Sequence, residues 1–186
     1  MNRLMATNPA ALLLVDYQQR LMPAIAQADQ VLSNALRLAD AARLLGLRIV
    51  GTEQNPSGLG PNVPALRERC DVTLAKMHFD ACADGLLELL ESGAAGRARE
   101  LVVAGCEAHV CLMQTSLGLL RAGWRVWVVA PACGARSASD QALAMARLRD
   151  AGAGIVSTEM VVFEWLRSCE HVRFKAVLPL LKPASA

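Results

Sequence analysis

Leu101-Val102-Val103-Ala104-Gly105-Cys106-Glu107-Ala108-His109-Val110-Cys111 is the stretch whose reading decides the fold. Four apolar residues in a row suit a strand buried on both faces, and the pattern after His109 is that of a helix ending at Gly123. The seven residues from Gly105 to Cys111 are therefore a strand-to-helix turn, with the Cys111 thiol in the first turn of the helix. Unpaired backbone N–H groups and the helix dipole there favour a thiolate.

Upstream, Ala10 to Val15 is a second continuous apolar run, and it ends in Asp16. Val31, Ala35, Leu38, Ala42 and Leu45 then recur at helical spacing before Gly46, a stop signal. Leu47 to Thr52 reads as a strand. The stretch from Glu53 to Pro64 holds three prolines and two glycines and reads as a loop. A short β-prone run, Val72 to Ala75, ends at Lys76, and a helix from about Asp84 to Leu90 is broken near Gly93 and Gly96.

Downstream, Arg125 to Ala130 is a strand with Val126 and Val128 on one face and Trp127 and Val129 on the other; Pro131 ends it. Ser137 with Asp140 three residues on resembles a capping box for a helix that stops by Gly152. Gly154 to Thr158 reads as a short strand, and Glu159–Arg167 and Val172–Leu181 as two closing helices. Strands alternating with helices predict a three-layer α/β/α fold built on a mostly parallel, doubly wound sheet of about six strands. Residues 1–186 are read as a single domain, since domains commonly run about 100 to 200 residues.

Composition narrows the function. The net charge of +2 comes from 19 basic and 17 acidic residues scattered along the chain, and aromatic residues make up 4%. Neither a basic block nor a stacking platform is present, so nucleic-acid binding has no support. No apolar run approaches the roughly 18 residues of a membrane span, and no leader pattern precedes Asp16. Six cysteines without C-x-x-C spacing read as reduced thiols. The expectation is a soluble cytoplasmic protein without a membrane partner.

Three strands thus deliver Asp16, Lys76 and Cys111 to one edge of one sheet, where open parallel sheets bind their ligands. Two arrangements fit that convergence. In one, Asp16 takes the thiol proton, Lys76 holds the anions, and Cys111 attacks an electrophilic carbon, with backbone N–H groups near Glu107 and Cys111 stabilising the oxyanion. In the other, Asp16 and Lys76 form a structural ion pair and Cys111 packs.

At these residues the chain resembles the isochorismatase-like cysteine hydrolases, over nearly its whole length from Leu12 to about Leu181. The marks are Leu-Leu-Val-Asp-Tyr-Gln at 13–18, Thr-Glu-Gln-Asn-Pro with Gly-Leu-Gly-Pro at 52–61, Lys76 followed by His78-Phe79, and Gly-Cys-Glu-Ala-His-Val-Cys at 105–111. Within the family it looks closest to the isochorismatase-domain hydrolases of largely unassigned substrate. The resemblance implies that Asp16, Lys76 and Cys111 are a catalytic triad, that the Cys106–Glu107 peptide is cis, and that the protein is a homo-oligomer acting on a small molecule.

One departure matters. Relatives that hydrolyse nicotinamide carry histidines and a divalent metal in the loop after the second strand, whereas Thr52 to Pro64 contains no histidine. No metal and no cofactor are therefore expected, and His78 and His109 are read as ordinary hydrogen-bonding residues. A complete triad points to a metal-independent hydrolase of a small amide or related carbonyl compound, working through a thioester. Vinyl-ether hydrolysis, for which relatives do not need the thiol, and a catalytically silent oligomeric scaffold are the alternatives. Tyr17, Gln18, Gln54 and Phe79 flank the triad and are expected to line the pocket.

Overall fold

The computed structural model describes residues 4–92 and 97–181. Six strands form one sheet: β1 (Pro9–Val15), β2 (Ile49–Gln54), β3 (Val72–Lys76), β4 (Ala98–Gly105), β5 (Arg125–Val129) and β6 (Gly154–Val156). Their order is β3-β2-β1-β4-β5-β6 and every pairing is parallel. The chain winds outward in one direction from β1 and in the other from β4, so the topological switch point lies between the carboxyl ends of those two strands.

Alternation along each strand divides the core into two layers. Leu12, Leu14, Val102, Ala104, Trp127 and Val129 face helices α1 (Ala28–Leu44), α7 (Thr158–Leu166) and α8 (Phe174–Leu181). Leu13, Val15, Leu101, Val103, Val126 and Val128 face α4 (Leu86–Ser92), α5 (Met113–Arg121) and α6 (Ala138–Asp150). Burial on both faces is why β1 and β4 read as unbroken apolar runs. The helix stops are where the glycines predict them: Gly46, Gly123 and Gly152 all have positive φ. Ser137 caps α6 by accepting from Asp140 N–H at 3.2 Å.

Three local readings change. The loop from Glu53 is in part regular: β2 continues through Glu53 and Gln54, paired in register with Ala75 and Lys76. Pro56 and Pro64 open two single-turn helices, α2 (Pro56–Leu59) and α3 (Pro64–Arg67), at the position where a missing N–H costs nothing. Strand β6 stops at Val156, because Ser157 caps α7 by accepting from Met160 N–H at 3.2 Å. The helix break expected near Gly93 and Gly96 lies outside the described residues. Among those described, no helix is long and apolar enough to cross a membrane.

Candidate active site

Asp16 is the first residue past β1. It has a positive φ of 53°, a conformation Asp tolerates better than most residues, and its side chain is fully buried. Cys106 N–H donates to Val15 O at 2.9 Å, so β1 and the end of β4 stay locked up to the turn. Gly105 makes that contact possible: a Cβ there would lie 2.4 Å from Val15 O and 2.5 Å from Val15 Cβ. The Cys106–Glu107 peptide is cis. A π-helical turn, Ala108–Leu112, then leads into α5, and it places Cys111 with 6% of its surface exposed.

Lys76, at the end of β3, is buried with Asp16. Its Nζ lies 2.8 Å from Asp16 Oδ2 and donates to Gln54 Oε1 at 2.7 Å and to His78 O at 3.3 Å. Thr52 Oγ1 donates to the other Asp16 oxygen at 2.6 Å. The ammonium and the carboxylate are thus desolvated together, and each is tied to at least one neutral polar group as well, the condition under which a buried pair is tolerated. Both charges act on the Cys111 thiol. Burial first, and Asp16 second, push it up to about 12, while Lys76 pulls it down. Desolvation thus works against the thiolate that the helix terminus favours, with the ammonium on the opposite side of the balance.

The four expected pocket residues divide. Gln54 belongs to the site, since its amide oxygen accepts from Lys76 and its Nε2 donates to Met77 O at 2.7 Å. Gln18 stands behind it as a substitute strand: its Oε1 accepts from Gln54 N–H, and its Nε2 donates to Gln54 O and Gly60 O. No donor of that amide is left for a ligand. Tyr17 does not line the site. It is fully buried in the layer beneath α1, on the opposite face from Cys111, and its hydroxyl donates to Ala132 O. Phe79 is half exposed, and its carbonyl rather than its ring is engaged, accepting from Thr115 Oγ1 at 3.2 Å.

Two contacts of the site had no local signal in sequence, Thr52 on Asp16 and Thr115 on the segment after Lys76. The Glu107 side chain is mostly covered and pairs with the exposed Arg136 at 2.7 Å. His78 is exposed and bonded to Asp84 at 2.9 Å, while His109 Nδ1 is buried without a partner among the described residues. Among those residues no group of three or more His, Cys, Asp or Glu side chains is arranged to hold a metal ion.

Residues 10–160 match the family model of the isochorismatase domain. The chain is 35% identical over 177 residues to isochorismatase domain-containing protein 2 of Danio rerio, covering 95% of this chain and 89% of that relative. Its fold superposes on the MAR1 ribonuclease of Caenorhabditis elegans with a TM-score of 0.88 and 30% identity, over 99% of this chain and 100% of the other. The Escherichia coli YcaC gene product, described as an octameric hydrolase of unknown specificity, gives 0.87 and 26% over 97% and 90%.

Proposed function

This chain belongs to the isochorismatase domain family, and from that premise we propose that it is a metal-independent cysteine hydrolase of a small amide or related carbonyl compound. The fold is that of a hydrolase family; the thiol chemistry is the further step. The observation that carries it is the fully buried Asp16–Lys76 pair with both charges acting on Cys111.

In the proposed cycle the Cys111 proton passes to Asp16 as sulfur bonds to the carbonyl carbon. Base and nucleophile act together, because a thiol held up near 12 is not ionised beforehand. The negative charge moves to the carbonyl oxygen, where the N–H groups of Glu107 and Cys111 receive it. The C–N bond then breaks, and the leaving amine takes the proton from Asp16. A water next gives its proton to Asp16 while its oxygen attacks the thioester; the C–S bond breaks and the proton returns to sulfur. Lys76 stays protonated throughout and offsets the charge that moves between Asp16 and Cys111. Assembly as a homo-oligomer is proposed with it, supported by the octameric Escherichia coli relative.

The test is a panel of small aliphatic and aromatic amides read by ammonia release, with single-stranded RNA and isochorismate alongside. The wild type is expected to release ammonia from at least one amide, and Cys111→Ala to release none from it. Turnover that survives Cys111→Ala but is lost in Asp16→Asn would replace this reading with vinyl-ether hydrolysis. RNA cleavage lost with either substitution would replace it with a nuclease.

A further inference from the structure

The segment 77–81 crosses from the end of β3 to α5 as a short strap, and its backbone is turned inward. Met77 O accepts from Gln54 Nε2, His78 O from Lys76 Nζ and Phe79 O from Thr115 Oγ1. Thr115 Oγ1 also accepts from Ala81 N–H at 3.1 Å, so one buried hydroxyl closes two backbone bonds of the strap. Thr115 comes four residues after Cys111, one helical turn further along the same helix. A turn beyond it, Gly118 leaves a notch filled by Asp80: a Cβ at Gly118 would lie 2.5 Å from both Asp80 carboxylate oxygens. The helix that carries the thiol is therefore fastened at Thr115 to the segment that supplies one anchor of Lys76, His78 O, and holds a second, Gln54, through Met77 O.

The geometry points to Thr115 as a positioning residue that sets how closely the Lys76 ammonium is held to the Cys111 sulfur. The inference rests on the triad reading above. Thr115 touches neither reacting group; it acts through the strap, whose carbonyls at Met77 and His78 hold the Gln54 amide and Lys76 Nζ. A hydroxyl that donates once and accepts once cannot be replaced by a methyl without loosening both sides of that clasp.

The contribution of Lys76 is read by removing the opposing charge. Asp16→Asn leaves Lys76 as the only formal charge of the trio facing the thiol, held by Gln54 and His78 O, so it is expected to accelerate iodoacetamide labelling of Cys111 at fixed neutral pH. The acceleration measures how well the ammonium is placed. In a double-mutant cycle, Thr115→Val is expected to shrink it by about fivefold, comparable to losing one net hydrogen bond. Comparing rates with and without Asp16 in each background cancels any change in access to the sulfur. Thr115→Ser keeps the hydroxyl and is expected to restore the wild-type ratio, whereas a merely structural role for Thr115 would leave the ratio where it was. Gly118→Ala displaces Asp80 and lifts the same strap, and it serves if Thr115→Val does not fold. A full acceleration that persists in Thr115→Val and Gly118→Ala, with circular dichroism unchanged, overturns the role of Thr115 and leaves the triad standing. Labelling unchanged by Asp16→Asn in the parent protein overturns the triad reading, and the role of Thr115 with it.

Discussion

Asp16 Oδ2 and Lys76 Nζ meet at 2.8 Å although their strands, β1 and β3, are not neighbours in the sheet. The lysine reaches across the end of β2, where Thr52 and Gln54 fill the gap and bond one partner each. Both charges have left water completely, so each depends on the other.

Lys76→Met is accordingly expected to cost about 3 to 5 kcal/mol of stability, because it leaves a buried carboxylate without its counter-ion. The double substitution Asp16→Asn with Lys76→Met removes both charges and is expected to recover a substantial part of that loss. Urea denaturation of the two single variants and the double one checks it. A double variant no more stable than Lys76→Met alone would mean that the pair is not energetically coupled.

Gly105→Ala tests the junction from which the turn bearing Cys111 departs. The added methyl would meet Val15 backbone and Cβ atoms at 2.4 to 2.9 Å, and none of these is the free end of a flexible side chain. Separation of β1 from β4 is the expected response, with a loss of about 3 kcal/mol or more. A denaturation midpoint matching the wild type would show that the two strands separate there at no cost.

The strap has a pH limit of its own. Asp84 Oδ2 accepts from the N–H groups of Met77 and His78, and Oδ1 bonds His78 Nδ1. These contacts, led by the His78 side chain, hold the Asp84 carboxyl below its ordinary value of 3.8. A carboxyl lowered in the folded state stabilises it above the unfolded value and loses that contribution as pH falls through the folded one. Amide hydrogen exchange at Met77 and His78, corrected for the intrinsic rate, is expected to show constant protection at mildly acidic pH and a fall below the ordinary carboxylate range. Asp84→Asn should reduce protection at neutral pH and flatten the dependence; an unchanged profile would remove Asp84 from the account.

Asp16, Lys76 and Cys111 could be brought together from sequence because each lies at or just beyond the carboxyl end of a strand marked by its own apolar run, and a parallel sheet collects such ends on one edge. The residues that hold them were not legible in the same way. Thr52 reads as ordinary strand filling and Thr115 as a neutral helix residue, since a hydroxyl announces no partner until the fold supplies one. Gln18 and Tyr17 were read through their neighbour Asp16, yet the chain turns at Asp16, which puts Tyr17 in the other layer and commits Gln18 to backbone pairing. The burial that works against a Cys111 thiolate is hidden in the same way, since the helix terminus is visible in sequence and the depth of burial is not.

Because the strap speaks to the interior through its carbonyls, the side chains of Met77 and Phe79 are released from structural duty. Met77 and Phe79 are 65% and 50% exposed, and His78 points outward between them. Any L-residue able to follow the same backbone path presents the same three carbonyl oxygens to Gln54, Lys76 and Thr115. The outer rim of this site is therefore free to diverge while its charge chemistry is retained, and positions 77 and 79 are where a selectivity library should be randomised first.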